Sequence, residues 1–250
     1  MSNPQKVYIS EISKKTSYRA NWLPDKPLNI GDIGKLEDGI FTLYTTLEQQ
    51  NIPLEIRPSP SSLDFDYTSK DTVRVVSDLG ASAPVAAGTP VNGKFSVKID
   101  FQNNSGVLFQ VTGSQKQIIS NLDAIEKNIL AKYKNNEWNL EWVVITEIVK
   151  TDSATIIINT GSSNTLEFEA SGDAGLKTIN LADARLGLKL MRESGTSTKI
   201  IAKEQLTPLY VVKGITDPLF GKAKFRGVEQ LRAVQFNELK AFPFNPNEIE

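Results

Sequence analysis

Apolar and polar residues alternate along residues 94–101. The apolar positions of this stretch are Phe95, Val97, Ile99 and Phe101. A period of two is typical of a strand with one apolar and one wet face. The residues at 103–106 are Asn, Asn, Ser and Gly, which favour a tight turn, and a second apolar run begins at 107. The pattern predicts a β-hairpin made of residues 94–101 and 107–115.

The spacing of apolar residues changes after residue 115. They recur at intervals of three and four from Ile118 to Tyr133. Ser114 and Gln117 precede this stripe and have the spacing of a capping box. We therefore predict one amphipathic helix over about 117–134. Residues 138–150 are rich in Trp, Val, Ile and Thr, and their apolar side chains fall on both parities, which indicates a strand buried on both faces.

Other stretches of the chain are shorter or less regular. Residues 154–159, 165–169 and 184–192 have the pattern of amphipathic strands, and residues 72–79 also favour a strand. Residues 57–70 are rich in Pro, Ser and Asp and predict an exposed connection. The pattern up to residue 19 fits either a short strand or a basic surface helix. Its basic residues are Lys6, Lys14, Lys15 and Arg19.

Together these elements predict an α+β fold. We expect a twisted, mostly antiparallel sheet, a central amphipathic helix at about 117–134 and a few short helices. With 250 residues, 40% of them hydrophobic, the chain is long enough to bury a substantial core. No stretch near the N-terminus has the apolar core of a signal peptide, and no stretch reaches the roughly 20 apolar residues of a membrane-spanning helix. We expect a cytoplasmic protein.

The amino-acid composition argues against most kinds of catalytic and metal-binding site. The chain contains no His and no Cys, so the usual general base, thiolate nucleophile and zinc ligands are missing, and we predict no metal, no cofactor and no enzymatic activity. The 28 basic and 29 acidic residues give a net charge of −1, and the aromatic residues do not alternate with a basic stripe. We therefore predict no nucleic-acid partner.

The order of elements and several short stretches resemble the gasdermin family, in particular its short bacterial and fungal members. The resemblance covers residues 28–215. The matching stretches, in order, are IGDIG at 30–34 leading to Phe41, FQNNSGVLF at 101–109 before a single helix, WVVITEIV at 142–149 followed by SATII at 153–157, and TPLY at 207–210. The resemblance implies the fold of a gasdermin N-terminal domain over residues 1–215, followed by a C-terminal extension at 216–250.

The resemblance also implies a function. Proteins of this family are pore formers in programmed cell death, innate immunity and antiphage defence. They are inactive in the cytoplasm and, after proteolysis or contact with a partner, assemble at the inner face of the cell membrane. The implied partners are membrane lipids, further copies of the chain in a large ring, and an activating protease. Two regions, at about 72–112 and 154–192, would refold into amphipathic hairpins of a transmembrane β-barrel.

The resemblance and the alternation together nominate three sets of residues. The candidates for membrane insertion are Phe95, Val97, Ile99, Phe101, Val107, Phe109, Val111, Leu166, Phe168, Leu186, Leu188 and Leu190. The candidates for first contact with lipid headgroups are Lys6, Lys14, Lys15 and Arg19. The candidates for an autoinhibitory tail are Phe220, Phe225, Leu231, Phe236, Phe242 and Phe244.

Three questions stay open at this point. Bacterial relatives carry an acylated N-terminal Cys, which this chain lacks, so either the basic residues replace the acyl group, the lineage manages without it, or the sequence was altered. The tail beyond residue 215 either inhibits or completes the fold. The alternative to a pore former is a soluble β-rich scaffold or binding module with no membrane activity, in which the same strands form a stable sheet.

Overall fold

The computed structural model describes residues 3–24, 26–37, 39–68, 73–78, 92–102, 106–161, 164–173, 189–194, 198–216 and 223–227. These residues form an α+β fold of mostly antiparallel sheet with two helices, which confirms the predicted fold class. The helices are α1 (Pro4–Lys15) and α2 (Leu122–Lys134). The strands are β1 (Arg19–Ala20), β2 (Asp32–Glu37), β3 (Ile40–Thr46), β4 (Ile56–Thr68), β5 (Val73–Asp78), β6 (Asn92–Phe101), β7 (Gly106–Ile119), β8 (Val143–Asn159), β9 (Asn164–Asp173), β10 (Lys189–Ser194), β11 (Thr198–Thr216) and β12 (Lys224–Gly227).

The strands form two sheets. The larger sheet has eight strands in the order β1-β11-β8-β2-β3, with β12 paired to β11, β7 paired to β8, and β4 paired to β7. The smaller sheet has four strands in the order β10-β9-β6-β5, and all of its neighbouring strands are antiparallel. Within the described residues, neither helix is long and apolar enough to cross a lipid bilayer.

The chain divides into two compact units. Unit 1 consists of Met1–Glu11, Leu63–Ser114 and Thr151–Leu206, and unit 2 consists of Ile12–Ser62, Gln115–Lys150 and Thr207–Glu250. Helix α1 and strands β4, β7, β8 and β11 contribute residues to both units, whereas the four-stranded sheet lies wholly in unit 1.

Unit 2 contains an extensive apolar core. Among the described residues, its cluster has 17 buried hydrophobic members, drawn mainly from β2, α2, the first half of β8, β11 and β12. Ile125 and Ile129 of α2 are fully buried in this cluster. In β8, Val143, Val144 and Ile145 are all fully buried, which confirms that this part of the strand is covered on both faces.

The predicted start of the central helix is wrong. Helix α2 begins at Leu122 rather than near residue 117, because β7 continues as a strand to Ile119 and pairs with β4 and β8. Ser114 and Gln117 therefore lie within a strand and do not cap the helix. The carbonyl of Asn121 accepts hydrogen bonds from the amides of Ala124 and Ile125, so the first helical turn forms at Asn121. Strand pairing satisfies the backbone of the preceding residues and overrides their helical spacing.

The predicted exposed connection at 57–70 is also wrong, because most of it lies in strand β4 (Ile56–Thr68). Proline removes a backbone donor, so it is tolerated mainly on edge strands. Among the described strands, β4 pairs only with β7, which leaves one of its edges free to hold Pro58 and Pro60. The composition of the stretch reflects an edge strand.

The predicted hairpin of residues 94–101 and 107–115 is correct in its strands and wrong in their pairing. Strand β6 pairs with β5 and β9 in the small sheet, and β7 belongs to the large sheet. A period of two fixes which residues share a face and leaves the partner strand unspecified.

The N-terminal segment is a helix, so the structure decides between the two alternatives that the sequence left open. In α1, Tyr8, Ile9 and Ile12 are at most 1% exposed. Within unit 1, the Tyr8 ring centroid lies 6.3 Å from that of Phe109, and the Tyr67 hydroxyl donates a hydrogen bond of 2.8 Å to Glu11 Oε2. The helix is therefore held by both apolar and polar contacts.

Candidate functional site

The four-stranded sheet β10-β9-β6-β5, which we call the amphipathic sheet, is built from two sequential hairpins. Strand β5 pairs with β6 from Val73↔Phe101 to Asp78↔Ser96, and β9 pairs with β10 with an irregularity between Leu190 and Arg192. Ten consecutive residue pairs join β6 to β9. Directly opposed residues of antiparallel strands lie on the same face, so these registers define two faces across all four strands.

One face of the amphipathic sheet is almost wholly apolar. Its register positions are Val73, Val75 and Ser77 in β5; Gly93, Phe95, Val97, Ile99 and Phe101 in β6; Asn164, Leu166, Phe168, Ala170 and Gly172 in β9; and Leu190 and Glu193 in β10. Among these positions, the single charged residue is Glu193, on an outer strand. A solvent-exposed protein surface usually carries many more charged side chains than this face does.

On this apolar face, the described apolar side chains of the two inner strands are covered. Val97, Ile99, Phe101, Leu166 and Phe168 are at most 6% exposed. They form one cluster with Leu108 of β7 and Ile157 of β8, all within unit 1. The inner strands therefore use their apolar face as a small core.

The two outer strands are not covered in the same way. On the same face, the exposed fraction is 39% for Val75 in β5 and 40% for Leu190 in β10. Met191, at the irregularity of β10, is 57% exposed. The apolar face thus continues past its covered centre into contact with solvent on both sides.

The opposite face of the amphipathic sheet carries charges. Its register positions are Arg74, Val76 and Asp78 in β5; Asn92, Lys94, Ser96, Lys98 and Asp100 in β6; Thr165, Glu167, Glu169, Ser171 and Asp173 in β9; and Lys189, Arg192 and Ser194 in β10. Glu167 lies opposite Lys98 on one side and Arg192 on the other. Opposite charges thus face each other across neighbouring strands, an arrangement that stabilises a sheet.

Asp100 is closely held on this face. Its Oδ1 accepts a hydrogen bond of 2.7 Å from the Thr165 hydroxyl and lies 3.2 Å from Lys98 Nζ. Partial burial acts to raise the pKa of Asp100, but the hydrogen bond from Thr165, the contact with Lys98 and the charge of Arg74 together lower that pKa below its ordinary value. Asp100 is therefore ionised at neutral pH.

The structure places the candidate inserting residues in two different sheets. Val97, Ile99, Phe101, Leu166, Phe168 and Leu190 lie on the apolar face of the amphipathic sheet, and Phe95 holds a register position there. Val107, Phe109 and Val111 are buried in β7 of the large sheet. Leu186 and Leu188 lie outside the described residues.

Two apolar residues of β5 were not among the candidates. Val73 packs against the covered cluster and Val75 is its half-exposed neighbour on the same face. The strand pattern at 72–79 was the available signal, but a six-residue strand with valines on both faces does not indicate which of them faces the core.

The basic candidates occupy different environments. Lys6, Lys14 and Lys15 belong to α1, and Lys14 is exposed. Arg19 belongs to β1, where it lies opposite Tyr210 of β11 and is only 5% exposed. Lys14 and Arg19 therefore do not share one kind of surface.

The tail candidates lie mostly beyond the described residues. Phe225 belongs to β12, is 5% exposed and packs in the core of unit 2, where its amide also donates a hydrogen bond to Glu126 Oε1. Phe220, Leu231, Phe236, Phe242 and Phe244 lie outside the described residues, as does the remainder of the tail after Gly227. Phe225 is thus part of the folded body.

No protein-family model matches the chain, and no curated protein matches it. The chain is similar to a solved structure described as the cryo-EM structure of the gasdermin A3 membrane pore, with 12% sequence identity over 96% of each chain and a TM-score of 0.37.

Proposed function

We propose that this chain is a pore-forming protein that permeabilises membranes by placing the amphipathic sheet across the bilayer. The observation that carries the proposal is the sheet itself, with one apolar face, one charged face and inner strands of ten residues each. Ten residues of strand span roughly 33 Å, or about 23 Å when tilted by about 45°. This length fits the hydrocarbon layer of a membrane, with the apolar face toward lipid and the charged face toward water.

The outer edges of the sheet require further copies of the chain. In the described part of the chain, no strand pairs with the free edges of β5 and β10. Lipid cannot satisfy open backbone donors and acceptors, so an inserted sheet must pair both edges. We propose that β10 of one copy pairs with β5 of the next and that the copies close into a ring.

Insertion exchanges one apolar environment for another. The inner strands must leave Leu108 and Ile157 for lipid, which conserves most of the buried apolar area. Val75 and Leu190 gain burial in lipid, because they are half exposed before insertion. The half-covered apolar face therefore lowers the cost of the exchange.

Two adjacent valines provide the test. Val75 and Val76 are each 39% exposed and lie on opposite faces of β5, with Val75 on the apolar face and Val76 on the charged face. We expect Val75→Asp to abolish dye release from anionic liposomes, because each copy would carry a carboxylate into lipid at a cost of about 2 kcal/mol or more. Val76→Asp is the matched control and should keep dye release within about threefold of the unsubstituted chain.

The test uses the full chain and a chain ending at Gly227. The shorter chain keeps β12, whose Phe225 packs in the core of unit 2. We propose that the inactive chain stays in the cytoplasm, and that a protease or partner releases the tail at the inner face of the cell membrane. Leakage only from the shorter chain would support inhibition by the tail. Equal leakage after Val75→Asp and Val76→Asp would contradict insertion of the sheet.

A second candidate function is a scaffold or binding module without membrane activity. The covered inner strands favour it, because five apolar residues of the sheet already have a stable partner surface in unit 1. This function predicts that neither the full chain nor the chain ending at Gly227 releases dye. It also predicts that both Asp variants behave alike in every assay.

A further inference from the structure

The apolar face of the amphipathic sheet carries an acidic residue, Glu193 of β10. Among the register positions that the four described strands give to this face, Glu193 is the only ionisable one. It lies opposite Leu166 of β9. Leu166 in turn lies opposite Ile99 of β6, and Ile99 lies opposite Val75 of β5. One row across the sheet therefore consists of three apolar residues and one carboxylate.

The register irregularity of β10 puts Glu193 on the apolar face. In a regular strand, Arg192 would share the face of Leu190. The pairing with β9 shifts between these two residues, as in a β-bulge. As a result, Arg192 lies opposite Glu167 on the charged face. Glu193 then lies opposite Leu166, so the irregularity decides which of the two charged residues joins the apolar face.

Glu193 is solvated before any insertion, because its side chain is exposed. Among the described strands, β10 pairs with β9. The residues of β9 that are nearest to Glu193 on the same face are Asn164, Leu166 and Phe168. None of these three side chains titrates. The nearest charged register positions, Arg192 and Glu167, belong to the charged face, so water is what stabilises the Glu193 carboxylate on its own face.

The proposed function moves Glu193 from water to lipid, because the apolar face turns toward the bilayer. In the proposed ring, β5 of the next copy adjoins β10 and has Val73, Val75 and Ser77 at its apolar-face positions, so it adds no basic residue there. An ionised carboxylate is strongly disfavoured in an apolar environment without a partner, and such a group takes up a proton instead. Every copy of the ring meets this cost, so the charge of Glu193 opposes insertion once per copy.

We infer that Glu193 makes pore formation depend on pH, because it opposes insertion of the sheet while it is ionised and allows insertion once it is protonated. This inference rests on the proposed function and names a condition that controls it. The inserted state carries a neutral acid where the soluble state carries a hydrated carboxylate. Insertion therefore takes up one proton per copy and becomes more favourable as the pH falls. Asp100 on the charged face stays ionised near pH 5, because its pKa is lowered below the ordinary value of about 3.9.

The experiment measures the initial rate of dye release from anionic liposomes at about pH 5 and about pH 7.5, with the full chain and with the chain ending at Gly227. For the more active of the two chains, we expect the rate to be at least about fivefold higher at the lower pH. Glu193→Gln keeps the shape of the side chain and removes its charge. This variant should release dye at the two pH values with rates that agree within about twofold. Glu193→Asp keeps a carboxyl group and should keep the pH dependence.

Glu167→Gln is the matched control. Glu167 lies on the charged face between Lys98 and Arg192, and the substitution changes the charge of the chain by the same amount as Glu193→Gln. Any gain in attraction to anionic lipid is therefore common to the two variants, and they differ in the face of the sheet that loses a carboxylate. Glu167→Gln should keep the higher rate of dye release at the lower pH.

The possible outcomes separate the inference from the proposed function. Equal rates of dye release at the two pH values for the unsubstituted chain would overturn the inference and leave the proposed function standing. Equal effects of Glu193→Gln and Glu167→Gln would also overturn it, because the pH dependence would then follow net charge. Absence of dye release at both pH values from every form of the unsubstituted chain would overturn the proposed function, and the inference with it.

Discussion

The apolar surfaces of the two units are buried to different extents. In the described part of unit 2, 17 buried residues form one cluster that covers both faces of the first half of β8. In unit 1, the cluster under the amphipathic sheet has seven buried residues among those described, and on the outer strands only Val73 packs against it. Val75 and Leu190, which continue the same face on the outer strands, are 39% and 40% exposed.

This difference indicates which part of the chain is free to change partners. Removing residues from a fully covered core exposes apolar area and leaves cavities, so a change of packing in unit 2 is expensive. The amphipathic sheet already exposes part of its apolar face to water, and any apolar surface that replaces water there lowers the free energy. We therefore expect unit 2 to stay folded while the amphipathic sheet takes new neighbours.

Matched truncations should give the largest contrast. Ile129 is fully buried in unit 2, and Ile129→Ala should lower the free energy of unfolding by about 2–5 kcal/mol. Leu190 is 40% exposed, so Leu190→Ala should lower the free energy of unfolding by less than about 1 kcal/mol. Urea unfolding followed by circular dichroism measures both. Equal losses for the two variants would remove the contrast between the units.

Alanine substitutions at two glycines, one in each unit, should lower the free energy of unfolding by intermediate amounts. A Cβ atom on Gly34 in unit 2 would lie 2.0 Å from the backbone oxygen of Thr42, which is held by strand pairing. A Cβ atom on Gly113 in unit 1 would lie 2.2 Å from Asp152 Oδ2, at the end of a side chain that can rotate. Gly34→Ala should cost about 2–3 kcal/mol, and Gly113→Ala about 1–2 kcal/mol, mainly because its φ is +62°.

The double variant Gly113→Ala with Asp152→Ala separates steric contact from backbone strain. It should remain as unstable as Gly113→Ala alone if φ is the main cause. Full recovery of the free energy of unfolding in the double variant would assign the cost to the contact with Asp152. Gly34→Ala has no comparable rescue, since its contact is with backbone.

The smallest expected effect concerns two carboxylates with opposite pKa shifts. Burial raises the pKa of Asp32 in unit 2, although a hydrogen bond of 2.9 Å from the Asn29 amide opposes the shift. In unit 1, partial burial is outweighed by Thr165 and Lys98, so the pKa of Asp100 is lowered. Both shifts are relative to an unfolded value of about 3.9.

Because the pKa shifts of Asp32 and Asp100 have opposite signs, their contributions to stability should depend on pH in opposite directions. Stability contributed by Asp32 is fully present below about pH 4 and is lost as pH rises through its raised pKa. Stability contributed by Asp100 is present above about pH 4 and is lost as pH falls through its lowered pKa. Asp32→Asn should flatten the stability profile above pH 4, and Asp100→Asn should flatten it below. Unfolding midpoints between about pH 2 and 7 measure both, and each effect should stay below about 1 kcal/mol.

The local sequence pattern predicted those elements whose conformation follows from the spacing of their own apolar residues. Strand β6 was predicted from alternation at 94–101, and the double burial of Val143, Val144 and Ile145 from apolar residues of both parities. The body of α2 was predicted from three-and-four spacing, since residues such as Ile125 and Ile129 must share one side of a helix. In each case the period alone identifies the element.

The missed features depend on residues distant in sequence. Strand β4 contains Pro58 and Pro60, and only an edge position makes them compatible with a strand. Residues at 115–119 have helical spacing, but pairing of β7 with its neighbours keeps them extended. The pairing of β6 with β9 joins residues more than 60 positions apart, which no local pattern encodes.

The sequence by itself determined the α+β class, the strand and helix faces, and the amphipathic character of β6 and β9, because side-chain periodicity follows from backbone geometry. Only the tertiary structure decided that these two strands lie side by side with β5 and β10 outside them. It also decided that Val75 and Leu190 stay half exposed and that Glu167 lies between Lys98 and Arg192 on the opposite face. Register and partner choice are properties of the assembled sheet, since they depend on the summed packing of all four strands.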